Sequence, residues 1–250
     1  MLRLPPLWHA VQVQLLPQED HRHNKRSTFY YFRSIWNQKD ITLHLLPHWN
    51  WPGEEGVFKQ VVAYTSCEEV KLYINGRLVG TKGYDFPNVG ALKAWNDRSK
   101  YTNPTTHDLH LVWDVPYEAG ELKAEGYIGG KLVATEIIRT TGRPVQLVAK
   151  ADRDTLKVDG IAHIDISTLD ANGLYVPDAS NMIHCEVIGK ARLIGMDSGD
   201  MRDCTLSASK DRKLFSGLLM AMVYADEPGD ITVKLSGEGL KEVTLHLKAE

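Results

Sequence analysis

Cysteine is scarce. Cys67, Cys185 and Cys204 are an odd number, far apart, with no CxxC pair. That spacing excludes a disulfide framework and a zinc-ribbon type of site, and leaves buried or half-buried free thiols. Long apolar runs are missing too, and no stretch approaches the roughly 18 residues that a membrane-spanning helix needs. The segment Leu2–Leu16 is broken by Arg3, Pro5, Pro6, His9, Gln12 and Gln14, so it has no clean apolar centre for a signal peptide. Charge of one sign is not in excess: 29 basic against 32 acidic residues give a net charge of −3. A nucleic-acid partner would leave a basic footprint, and none is present. Ten histidines include no HExxH, and no serine stands in a GxSxG turn. The absences exclude the membrane, nucleic acid and the commonest hydrolase motifs, and imply no cofactor. What remains is a chain of 250 residues, 43% hydrophobic and 24% charged. That is ordinary globular composition, with length for one or two domains.

The densest feature is His44-Leu45-Leu46-Pro47-His48-Trp49-Asn50-Trp51-Pro52-Gly53, with two tryptophans, two histidines and two prolines in ten residues. Aromatic side chains of this size bury large areas. The segment therefore reads as a packed junction, a sugar-stacking surface, or both.

Around it the chain changes character. Met1–His23 has no sustained period. Lys25–Trp36 places Phe29, Phe32 and Trp36 at i, i+3 and i+7, the spacing of a short amphipathic helix. Such a helix is marginal alone and needs a surface to pack on. From Ile41 the pattern is β. Val57–Thr65 and Val70–Ile74 read as strands, and Asn75-Gly76 supplies the positive-φ pair of a tight hairpin returning through Arg77–Gly80. Tyr84–His107 is polar and carries Pro87 and Pro104, so it reads as a long surface loop. Leu109–Val115, Glu121–Tyr127 and Lys131–Arg139 follow as strands, the last two joined by Gly129-Gly130. Thr140–Pro144 is the clearest boundary. Beyond it lie strands at Val145–Ala149, Thr155–Val158, Ile161–Leu169, Met182–Ile188, Ala191–Met196, Leu214–Tyr224, Ile231–Leu235 and Val243–Leu247. Gly217 and the neighbouring strands favour a buried strand over a helix at Leu214–Tyr224. The expected fold is all-β: two tandem immunoglobulin-like β-sandwich domains preceded by a short N-terminal helical segment. The expected divisions are 1–40, 41–142 and 143–250.

Several stretches together resemble the C-terminal region of bacterial glycoside hydrolase family 2 β-galactosidases. They are the run from Arg33-Ser34-Ile35-Trp36 to His48-Trp49-Asn50-Trp51, then Glu69, Leu72, Asn75 and Gly76 of the hairpin. In the second unit Ala151-Asp152-Arg153, Asp170–Gly173, Val176-Pro177 and Asp197–Asp200 match. The resemblance implies that residues 1–40 contain the last helix of a catalytic (β/α)₈ barrel and that the rest is two accessory sandwiches. It implies a barrel as partner, with carbohydrate as a second candidate partner, in a family that is often periplasmic or secreted. In that family two glutamates in the barrel do the chemistry, about 5 Å apart in a retaining site. The acid/base glutamate follows an asparagine there, and this sequence has no Asn-Glu dipeptide. A barrel takes about 250 residues by itself. The expected role is non-catalytic support of a glycosidase barrel, with no turnover by these residues alone. The alternative is a free-standing carbohydrate-binding or adhesive module. Met1–His23 does not match the family and reads as a foreign or truncated start.

The candidate contact residues for carbohydrate or barrel are Trp36, His48, Trp49, Asn50 and Trp51, with packing against the barrel favoured over sugar stacking. Asp197, Asp200 and Asp203 admit a calcium loop, although a polar turn around Gly199 is the simpler reading. Asp152 and Asp154 beside Arg153 read as solvated surface. Glu54-Glu55 is no acid/base pair, because adjacent side chains diverge, and His107 with His110 lacks further metal ligands. No catalytic or metal residue is therefore assigned.

Overall fold

The computed structural model describes residues 27–37, 39–83 and 109–250. The expectations for Met1–His23, for Lys25 and for the loop Tyr84–His107 lie outside these residues. The chain divides into two compact units between Thr140 and Thr141.

In the first unit, helix α1 (Ser27–Trp36) precedes seven strands: β1 (Leu43–Leu46), β2 (Phe58–Thr65), β3 (Glu69–Ile74), β4 (Arg77–Gly83), β5 (Leu111–Pro116), β6 (Glu121–Ile128) and β7 (Lys131–Arg139). They form a three-stranded sheet β1-β2-β5 and a four-stranded sheet β4-β3-β6-β7, with every pairing antiparallel. Alternation sets the faces. Val61 and Ala63 of β2, Val70, Leu72 and Ile74 of β3, Leu111, Trp113 and Val115 of β5, and Leu122 and Ala124 of β6 point into one core. The intervening residues face outward. The hairpin between β3 and β4 has φ of 49° at Asn75 and 79° at Gly76, the pair its tight turn requires. Gly126 is needed for another reason: a Cβ there would stand 2.5 Å from the Cys67 sulfur, which is packed into the core at that point.

The second unit contains β8 (Gln146–Ala151), β9 (Thr155–Leu156), β10 (Ile161–Leu169), β11 (Met182–Gly189), β12 (Ala191–Asp197), β13 (Asp211–Lys213), β14 (Leu218–Ala225), β15 (Gly229–Gly237) and β16 (Val243–Ala249). The sheets are β12-β14-β10-β8 and β13-β11-β15-β16-β9. Their shared core includes Ile164 and Ile166 of β10, Ile183 and Cys185 of β11, Leu219, Ala221 and Val223 of β14, and Ile231, Val233 and Leu235 of β15. β14 is central in its sheet, between β12 and β10, which explains its unbroken apolar sequence. Gly217 lies just before this strand rather than within it. Ser216 and Gly217 both have positive φ and turn the chain from Phe215 into Leu218.

Both units are immunoglobulin-like β-sandwiches, and among the described residues the fold is all-β apart from α1.

Candidate functional site

The aromatic segment follows β1 and crosses one end of the first sandwich before β2. Trp49 is fully buried. Its Nε1–H donates to the Glu118 carbonyl at 2.8 Å, so the indole carries no unpaired donor into the core. The Trp49 carbonyl accepts from Thr140 Oγ1 at 2.7 Å, and that same oxygen accepts from the Gly120 N–H at 3.0 Å. Trp49, Trp51 and Tyr117 form a cluster of three mutually edge-on rings, with centroids 5.2 to 5.6 Å apart. That geometry sets the positive edge of one ring against the negative face of the next. Asn50 is also buried, and its backbone N–H donates to His48 Nδ1 at 3.3 Å. His48 and Trp51 are half-buried. The His48 ring lies 4.8 Å from that of Trp51, and the Lys59 ammonium stands 4.7 Å from the same indole. Lys59 in turn pairs with Glu54, so that carboxylate is held by a neighbouring cation.

Helix α1 rests on the same sandwich. Tyr30 stacks on His44 at 3.7 Å, and Tyr31 meets Tyr64 edge-on at 5.3 Å. Thr28 and Ser34 are its buried residues. The face carrying Phe32 and Trp36 is turned away. The two rings stack on each other at 4.6 Å, and Trp36 is 69% exposed. The end of the helix is fixed by Asn37, whose side-chain oxygen accepts from the N–H groups of Lys39 and Asp40. Of the five candidate residues, then, Trp49 and Asn50 are interior, His48 and Trp51 flank them at half-buried positions, and Trp36 stands in solvent on α1.

Two supports of this region were missed by sequence reasoning. Glu136 of β7 grips β1 from 91 residues away: Oε2 accepts from the Leu45 N–H at 2.7 Å and Oε1 lies 3.1 Å from His44 Nδ1. Thr140 ties the aromatic segment to the turn at Gly120. Neither side chain stands in a local motif. The one signal was Glu136 at an inward position of an alternating strand.

In the second unit, Asp197 at the end of β12 and Asp203 on the loop that follows both stand within 4 Å of the Arg212 guanidinium, whereas Asp200 on the same loop pairs with Arg202. Among the described residues no group of three or more His, Cys, Asp or Glu side chains is arranged to hold a metal ion. The expected solvated turn Asp152–Asp154 is partly structural, because Asp152 accepts from the His163 N–H at 3.0 Å as well as from Arg153. Cys67 and Cys185 are buried, Cys204 is exposed, and all three are free thiols. Burial pushes the Cys185 thiol up to about 11. His110 sits 6.1 Å from the Tyr64 ring, and His107 lies outside the described residues.

Residues 147–246 match the family described as glycoside hydrolase family 2 C-terminal domain 5, and residues 56–134 match one described only as a domain of unknown function, DUF4982. The chain is 31% identical over 229 residues to the β-galactosidase BoGH2A of Bacteroides ovatus, covering 90% of this chain and 24% of that protein. It is 27% identical to a β-glucuronidase of Formosa agariphila, covering 90% of this chain and 21% of that one. Among solved structures, a β-glycosidase from Bacteroides vulgatus superimposes with a TM-score of 0.75 at 29% identity, over 92% of this chain and 27% of that chain. The chain thus spans about a quarter of the length of these relatives.

Proposed function

We propose that this chain, which corresponds to the C-terminal region of glycoside hydrolase family 2 proteins, serves as the non-catalytic accessory region of a β-galactosidase-like enzyme. The observation that carries the reading is the length match: nearly all of this chain aligns with under a quarter of a β-galactosidase. In that arrangement the chemistry belongs to a barrel that these two sandwiches support. Helix α1 would be the last barrel helix, and Trp36, His48 and Trp51 would meet the barrel. Trp36 with Phe32 presents an exposed aromatic stack on a helix whose other side is already packed. Trp49 and Asn50 would act from the interior by fixing the segment on which His48 and Trp51 stand. The burial of Trp49 also favours packing over sugar stacking, because an interior indole offers no face to a ring.

A chimera tests this. Residues 27–250 replace the matching C-terminal region of the Bacteroides ovatus β-galactosidase. The chimera should hydrolyse aryl β-galactosides, whereas residues 27–250 alone should give background rates. Trp36→Asp in the chimera should shorten its half-life on warming several-fold while leaving KM unchanged. Turnover by the sandwiches alone, or indifference of the chimera to Trp36→Asp, would overturn the reading.

A further inference from the structure

Asparagine is followed by glycine twice in the chain, at Asn75-Gly76 and Asn172-Gly173. A glycine at that place lets its backbone nitrogen approach the preceding carboxamide, because no side chain stands in the way. Both pairs lie on exposed tight turns. What holds the two carboxamides differs. Asn75 is locked by a distant segment. Its Nδ2 donates to the Ala119 carbonyl at 3.1 Å, and its Oδ1 accepts from the Glu121 N–H at 2.8 Å. The Gly120 backbone closes over it so tightly that a Cβ there would stand 2.0 Å from Oδ1. Turning this carboxamide toward Gly76 requires the turn between β5 and β6 to come away from the β3–β4 hairpin. Asn172 is held from within its own turn. Its carboxamide and its N–H both donate to the Asp170 carboxyl, the N–H at 2.9 Å, and the Gly173 N–H donates to the Asp170 carbonyl at 3.0 Å. Opening that one turn frees the carboxamide and the nitrogen beside it together. Openings of single surface turns lie at the low end of the local unfolding scale.

We infer that Asn172-Gly173 is a site of spontaneous deamidation, and that its modification loosens the buried carboxyl of Asp170. The Gly173 nitrogen forms a bond to Asn172 Cγ and gives up its proton, and the carboxamide nitrogen leaves with that proton as ammonia. Water then opens the cyclic succinimide to aspartate or isoaspartate at position 172. No atom is oxidised or reduced, and water is the one co-reactant. The neighbourhood makes the change costly. Asp170 is 3% exposed, and its carboxyl accepts from the N–H groups of Gly142, Asn172 and Leu174. Either product replaces a carboxamide donor to that carboxyl by a like charge beside it. Isoaspartate also lengthens the backbone between the donors at 172 and 174, so the two N–H groups no longer converge on one oxygen. The inference uses residues of the second unit, with Asn75 as the contrast, and stands whether or not the accessory reading does.

The test ages the full chain in warm, mildly alkaline buffer, with a parallel sample in concentrated urea. Proteolytic peptides carrying Asn75 and Asn172 are followed by mass spectrometry. In urea the two sites share the same local chemistry and should convert at rates within about threefold of each other. In the folded chain position 172 should convert at least about tenfold faster than position 75. The acidic species, separated by anion exchange, should unfold at a lower urea concentration than the unaged chain. Asn172→Gln should slow its formation at least about tenfold, because a longer side chain closes a less favourable ring. The inference is overturned if the folded chain converts position 172 no faster than position 75, if Asn172→Gln yields the acidic species at the parental rate, or if that species unfolds at the parental midpoint.

Discussion

Trp49 shows how one residue holds a junction together. Its ring is packed edge-on against two others, its N–H is satisfied, and its carbonyl is tied to Thr140. Trp49→Phe keeps much of the packing but leaves the Glu118 carbonyl without its donor. It should cost about 1–3 kcal/mol of first-unit stability in urea denaturation. Trp49→Ala should cost about 3–5 kcal/mol through the cavity it opens. A loss below about 0.5 kcal/mol for the alanine variant would show that the ring cluster carries no stability. Asp170 does a comparable job in the second unit. Burial alone would raise its carboxyl, but donations from the N–H groups of Gly142, Leu174 and Asn172 hold it below the ordinary carboxylate range. The unfolded chain therefore binds this proton more readily than the folded one. The stabilisation is present above the ordinary aspartate pKa of about 3.9 and is lost as pH falls through the lower folded value. Asp170→Asn should weaken the second unit at pH 7, and the gap between variant and parent should narrow as the pH of the unfolding experiment is taken below about 4. A gap that did not change with pH would rule out the charge as its source.

At the scale of elements, helix α1 separates two kinds of aromatic residue. Tyr31 packs on Tyr64, so Tyr31→Ala should destabilise the first unit by about 1 kcal/mol. Trp36→Ser should stay within about 0.5 kcal/mol of the parent in the same denaturation experiment, because its ring is mostly exposed and stacks on Phe32 of the same helix. A cost above about 1 kcal/mol for Trp36→Ser would mean that the helix docks by its other face. The sequence did not reveal which face docks. Phe29, Tyr30, Tyr31 and Phe32 are consecutive, so aromatic residues circle the helix and a periodic stripe through Phe29, Phe32 and Trp36 is only one choice among several. Most strands were legible, because a sandwich with one wet face writes its alternation into each strand. The Asn75-Gly76 turn was legible for a similar, local reason. The rest of Asn75's work was not: its side chain also donates to Ala119 O and accepts from the Glu121 N–H, across more than forty residues. The same holds for Glu136 on β1 and for Arg212 among the aspartates. Each is a single polar side chain meeting a distant segment, and such pairings leave no period behind them. Leu214–Tyr224 misplaced Gly217 for the opposite reason: apolar residues lie on both sides of a turn, and composition alone hides it.

For the whole molecule, each unit has its own closed core. The second is also laced from end to end: Val145 and Leu147 exchange backbone hydrogen bonds with Lys241, and Val158 donates to the Glu250 carbonyl. Residues 141–250 expressed alone should therefore fold, giving a β-type circular dichroism spectrum and one cooperative urea transition. A non-cooperative or ANS-binding product would mean that this sandwich borrows stability from the preceding residues.

The bare indole of Trp36 also makes the chain its own reporter. A tryptophan in water emits at longer wavelength than one in a core, and iodide reaches it. Subtracting the spectrum of Trp36→Phe from that of the parent isolates this one emitter from the buried rings of Trp49 and Trp113. Whatever surface comes to cover α1 would then announce itself as a shift to the blue and a loss of quenching, with no label attached.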